Sequence, residues 1–235
     1  MRITISSNTS IATYQYLKHE FHEENVKFDG FGWEGPITSA VLLRGTHFFV
    51  DLYRKPQKVK KFLELLTNNV VKFVYLTRRI NMEPEVNPVS TGLADDISSY
   101  IHPNMWREFV IPYWKQYFTK LTTGKRSLHC ENLNPNHLHY LAEAKIDYYD
   151  PSISKDLSAR MIREKTNIDF VWRLPSFELL QMSAKKVKEW VEKAAEDGAP
   201  RIILYVEPPM CEGDNPSKVF AFIETAKKIK EHLNP

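Results

Sequence analysis

The segment Leu128-His129-Cys130-Glu131-Asn132 places three side chains able to bind a metal in a row at the end of a predicted strand. On a β-strand, side chains two apart share a face, so His129 and Glu131 point together while Cys130 points to the other side. An imidazole and a carboxylate on one face form two arms of a metal site. Cys211, in Glu207-Pro208-Pro209-Met210-Cys211-Glu212-Gly213, can supply a third. Imidazole, carboxylate and thiolate around one ion suit zinc, which in catalytic sites keeps a position open for substrate. Spacing alone leaves a plainer reading open, because a histidine at a strand end is often a hydrogen-bonded core residue.

Further carboxylates and aromatics recur at the predicted carboxyl ends of strands, where parallel α/β proteins gather their functional groups. Asp95 and Asp96 are candidates for orienting a substrate or for general acid/base work, roles that adjacent carboxylates share only when their surroundings split their pKa values. A helix cap with a solvated neighbour is the competing reading of that pair. Glu34, Asp150 and Glu207 are candidate substrate-binding groups, and Trp33 and Trp172 can wall the same pocket or belong to the core.

The elements that must position these residues alternate between strand and helix. Ile11, Tyr14, Leu17 and Phe21 are spaced by three and four and predict a helix over residues 9–25, with Thr9 and Ser10 as candidate caps. A strand is expected at 26–33. Pro56 opens a helical pattern, and a second helix is expected over 70–80 after a break near Asn68-Asn69. Strands then follow at 89–95, 126–131, 146–150, 168–173 and 202–207. Helices separate them at 103–121, 135–144, 154–166 and 183–197, the last ended by Gly198, and a final helix covers 217–232. That is six strands, or seven if residues 1–6 are admitted. Repeated βα units imply a parallel sheet and leave an open sheet and a closed barrel both possible.

Composition narrows the class. The chain has 235 residues, 43% hydrophobic and 26% charged, enough for one globular domain spanning 1–235. A (β/α)8 barrel needs roughly 200 to 250 residues, so nothing is left for a large second domain. The net charge of +3 arises from 32 basic and 29 acidic residues interspersed along the chain, which argues against a nucleic-acid partner. No apolar run is long enough for a membrane span and residues 1–10 lack the apolar core of a signal peptide. Two cysteines do not make a secreted disulfide framework. A cytoplasmic location is expected.

Four segments resemble the uroporphyrinogen decarboxylase superfamily, which includes the zinc-dependent corrinoid methyltransferases. They are Gly35-Pro36-Ile37-Thr38-Ser39-Ala40 with Gly45, Asp51 and Pro56; Ala94-Asp95-Asp96 through His102-Pro103 to Tyr113; the Leu128-His129 strand; and the Cys211-Glu212-Gly213 turn. The resemblance implies an α/β fold of the TIM-type (β/α)8 barrel kind, here with a shortened N-terminus that lacks a strand or segment. It also implies a metal-dependent methyltransferase moving a methyl group to or from a corrinoid, with zinc as cofactor. The partners implied are a small methyl donor or acceptor and a corrinoid protein. In the methyltransferase branch the ligands resemble a His-x-Cys strand and a distant cysteine. His129 and Cys211 match, Glu131 stands where the first cysteine belongs, and Cys130 is out of register. Either Glu131 is the ligand or a bulge brings Cys130 round; an undistorted strand favours Glu131.

The decarboxylases themselves resemble longer chains whose N-terminal arginines grip the substrate's carboxylates. Nothing before Gly35 matches that part, and Arg2 is the only early arginine. A decarboxylase-like lyase acting on a small carboxylate, and a non-catalytic barrel subunit, are the alternative readings. A barrel one strand short must cover the seam beside residues 26–33 with the helix at 9–25 or with another chain, so a homodimer is an expected arrangement.

Overall fold

The computed structural model of the protein describes residues 5–28, 32–205 and 215–233. They group into two compact units. The first comprises Met1–Asp95 and Met105–Arg126, the second Asp96–Asn104 and Ser127–Pro235.

The first unit is mainly helical: α1 (Ile5–Glu20), α2 (Pro36–Arg44), α3 (His47–Arg54), α4 (Pro56–Ile80), β1 (Ser90–Ala94), α5 (Trp106–Phe109) and α6 (Ile111–Leu121). Pro56 begins α4 where its missing N–H costs nothing, and Val59, Leu63, Leu66, Val70 and Val74 bury one stripe. The expected break at Asn68-Asn69 does not occur. Asn breaks helices when its side chain competes for nearby backbone. Here the Asn68 Oδ1 instead accepts from Gln116 Nε2 at 2.9 Å and Lys120 Nζ at 2.6 Å, pinning α4 to α6. Trp106 and Trp114 meet edge to face at 5.1 Å in this core.

Two expected strands at the start of the chain are corrected. Residues 1–4 lie outside the described residues, but Ile5 and Ser6 are helical, and α1 continues through Thr9 and Ser10 with no Gly or Pro to stop it. Among the described residues of 26–33, none is in a strand. The backbone N–H of Phe28 donates to Asn81 Oδ1 and its carbonyl accepts from Asn81 Nδ2, both at 2.8 Å, so an amide side chain takes the place of a neighbouring strand. Tyr14 of α1 stacks against Phe28 at 5.5 Å.

The loop entering β2 (Lys125–His129) requires glycine at 124. Its backbone lies so close to β1 that a Cβ would strike the carbonyl oxygens of Val89 and Pro88, and Lys125 N–H donates to Val89 O at 2.9 Å. Backbone cannot yield as a side-chain tip can. Gly124→Ala should therefore destabilise by about 2 kcal/mol or more, read as a lower urea midpoint at unchanged slope.

The second unit holds β3 (Tyr148–Asp150), β4 (Asp169–Leu174) and β5 (Arg201–Leu204) after β2, with helices α7 (Leu138–Glu143), α8 (Ala159–Lys165), α9 (Ser176–Gln181), α10 (Ala184–Glu196) and α11 (Asn215–Leu233). The sheet order is β1-β2-β3-β4-β5, and β2 through β5 pair in parallel. Ser158 and Ser183 cap α8 and α10 by accepting from Met161 N–H and Lys186 N–H, and Gly198 takes the left-handed conformation (φ 81) after α10. Leu128, Tyr149 and Phe170 bury one face of the sheet. A core of Leu174, Leu179, Val187, Val191 and Phe222 packs behind β4. No helix among the described residues is long and apolar enough to cross a membrane.

Candidate functional site

Parallel register brings together three side chains that sequence places far apart. His129 closes β2 and lies directly beside Asp150, which closes β3. Tyr149 pairs with Phe170, so Asp150 sits beside Val171, and Arg173, two residues further, shares its face. The His129 Nδ1 lies 3.0 Å from Asp150 Oδ2, and Arg173 Nη2 donates to the same oxygen at 2.7 Å. The Asp150 hydrogen bond holds the His129 pKa above its ordinary value against the opposing effect of burial. Burial works to raise the Asp150 pKa, but the bonds from His129 and the Ser152 N–H, with the Arg173 charge, outweigh it and leave the carboxyl below its usual range.

The loops leaving these strands are bent sharply to serve this cluster. Asn132 (φ 57) and Ser152 (φ 43) occupy left-handed backbone that costs a non-glycine residue energy. What holds them is local: Ser152 N–H donates to Asp150 Oδ1 and Asn132 N–H to Ser154 Oγ, each at 2.9 Å. Ser152, Ser154, Trp172 and Arg173 also line a cavity of about 270 Å³. The Arg173 Nε is buried without a hydrogen-bond partner, an arrangement that costs about 1–3 kcal/mol unless something else accepts from it.

The other ring nitrogen of His129 faces two carboxylates. Its Nε2 lies 3.6 Å from Asp96 Oδ1 and 3.9 Å from Glu131 Oε1, and all three side chains are about one-third exposed. The strand expected to run to residue 131 stops at His129, so alternation is not what aims Glu131. Asp96 does this instead, its Oδ1 accepting the Glu131 backbone N–H at 2.9 Å. Cys130 is fully buried, with its Sγ 3.4 Å from Ser98 Oγ and its carbonyl accepting from the Tyr149 hydroxyl.

As a metal centre the cluster is incomplete among the described residues, where no three His, Cys, Asp or Glu side chains form a ligand group. Cys211 and Glu207 lie outside the described residues. The donor chemistry nevertheless suits zinc. Two ligands about 2.0–2.2 Å from a tetrahedral ion stand a little over 3 Å apart, close to the spacing of His129 Nε2 from the two carboxylates. The Asp150 bond at the opposite nitrogen is the support that metal-bound histidines characteristically have.

Asp95 is corrected. It is not at a cavity mouth but wholly buried at the N-terminus of α2 in the first unit. Gly35 precedes that helix and has no side chain with which to cap it. Asp95 supplies the cap, accepting from Thr38 N–H at 2.7 Å and Ile37 N–H at 3.4 Å, and also from Trp114 Nε1 at 2.7 Å. Gly35 is needed for this approach, since a Cβ there would collide with the Asp95 side chain. Trp33 and Glu34 also belong to the first unit. Trp33 lines a cavity of about 440 Å³ there, and the Glu34 carbonyl accepts from Ser39 Oγ. Arg173 is legible in the sequence as a residue at the end of the strand after Asp150, but its role as the partner of Asp150 is not.

The family model for uroporphyrinogen decarboxylase (URO-D) matches residues 8–229. Comparison with curated proteins gives no match. Among solved structures, a methyltransferase from Methanosarcina mazei superposes with a TM-score of 0.68 at 17% sequence identity, over 95% of this chain and 65% of that one. The protein therefore spans somewhat less than two thirds of the length of that relative. The uroporphyrinogen decarboxylase fold is a (β/α) barrel, and the five parallel strands found among the described residues are part of such a barrel. With the match running across nearly its whole length, the chain belongs to the uroporphyrinogen decarboxylase family.

Proposed function

We propose that the protein is a metal-dependent methyltransferase that moves a methyl group to or from a corrinoid carried by a separate protein, with zinc held by His129, Glu131 and Cys211. The observation that carries this reading is the orientation of His129. Asp150, itself gripped by Arg173, accepts a hydrogen bond from Nδ1–H, which leaves the Nε2 lone pair directed at the side where Glu131 and Asp96 stand. Family membership and the fold shared with a methyltransferase support it.

When bound, zinc supplies Lewis acidity, lowering the pKa of a coordinated thiol or hydroxyl. The chain's own residues do the rest. Asp150 fixes the ring's tautomer and plane, and Arg173 keeps Asp150 charged. Asp96 holds Glu131 in place through its backbone N–H. Stoichiometric zinc in the purified protein by elemental analysis, together with zinc-dependent methylation or demethylation of cobalamin followed by absorbance, is the expected result. A fully active metal-free protein would overturn the reading.

A further inference from the structure

We infer that the cavity of about 270 Å³ lined by Arg173, the residue that holds Asp150 against His129, binds a small zwitterion in which a carboxylate is joined by a short link to a methylated ammonium group. The inference rests on the methyl-transfer reading above and names its substrate class.

The cavity has two chemically distinct sets of lining groups. One is cationic: Arg173, whose Nε is buried without a partner, and Lys155. The other is aromatic and acidic: Trp172, Trp190, Phe177 and Glu178. Lys155 and Glu178 make no hydrogen bond or ion pair among the described residues, so both charges remain available to a ligand. Arg173 already gives Nη2 to Asp150 and stacks over Tyr205 at 5.0 Å, so the guanidinium is held in place with a donor to spare. A carboxylate is the planar acceptor such a fork suits.

The aromatic set decides the nature of the positive end. A primary ammonium carries three N–H donors that need acceptors, and Glu178 is the one acidic side chain among the described lining residues. A fully methylated ammonium has charge without donors and is recognised by ring faces together with a nearby carboxylate. Three aromatic side chains beside a single glutamate fit the second kind of group.

Calorimetric titration of the full chain with glycine betaine tests this. Saturable binding is expected, with 3,3-dimethylbutanoate, which has the same shape with carbon in place of nitrogen, binding about tenfold more weakly. Choline, which lacks the carboxylate, should weaken similarly. Lys155→Ala alters an exposed side chain and should reduce betaine affinity several-fold, while Trp172→Leu should erase the preference for betaine over its carbon analogue. Equal binding of betaine and the analogue, or no betaine binding by a chain that melts cooperatively, would overturn the inference. Betaine binding by a protein that takes up no zinc would leave it standing while the methyl-transfer reading fails. Zinc-dependent methyl transfer from another donor without betaine binding would do the reverse.

Discussion

Asp95→Ala should cost the protein about 3 kcal/mol or more of stability. The carboxylate accepts from Thr38 N–H, Ile37 N–H and Trp114 Nε1 in a site with no solvent access. Alanine leaves those donors without an acceptor, and each buried donor so orphaned costs about 1–3 kcal/mol. Chemical denaturation followed by tryptophan fluorescence measures the loss; a midpoint within error of the parent protein's would show that water replaces the carboxylate. The same residue gives stability a pH dependence. Burial pushes the Asp95 pKa up from 3.8 to about 6 despite the bonds from Trp114, from the Ile37 N–H and from both the backbone and the side chain of Thr38. The folded state therefore holds a proton between pH 4 and 6 that the unfolded state has released. Its contribution to stability is complete below pH 4 and falls as pH rises through that window, by about 3 kcal/mol in total. Asp95→Asn should remove this slope whatever its effect on the midpoint.

The burial of Asp95 is not legible in the sequence. Adjacent carboxylates after a strand look like a catalytic pair, and nothing in the residue types shows that one serves a helix 57 residues earlier through Thr38. The Gly35-Pro36 motif held the clue, because a helix starting on Gly-Pro has no side chain of its own to cap it. The βα alternation from β1 onward was legible for the usual reason, period-two and period-3.6 patterns separated by Gly and Pro. Residues 26–33 have a strand's composition without a strand's pairing. Composition reports what a segment can bury, whereas pairing depends on which backbone lies beside it, and here Asn81 satisfies Phe28. Within the site, His129 could be picked out by type. The grip of Asp150 and Arg173 could not, because it depends on the register of three strands.

That grip makes the site's sharpest prediction. His129→Ala should abolish zinc binding outright, since it removes the single nitrogen donor and leaves Asp96 and Glu131 facing one another without the ring between them. Asp150→Asn should act at one remove. The amide keeps the shape but offers no charge, and with Arg173 held by its Oδ1 the Nδ2 group can turn toward the ring and donate to Nδ1, which favours the tautomer with the proton on Nε2, where the metal needs the lone pair. Partners of this kind typically alter metal affinity by about 10- to 100-fold. Arg173→Lys should fall between parent and Asp150→Asn, because a lysine can restore the charge without the two-sided fork that also reaches over Tyr205. Competition with a chromophoric zinc chelator ranks the four proteins on one scale. The order parent, Arg173→Lys, Asp150→Asn, His129→Ala is expected, with unchanged circular dichroism throughout. If Asp150→Asn binds zinc as tightly as the parent, then the Asp150–Arg173 pair serves the fold alone, and His129 must be oriented by the backbone of β2.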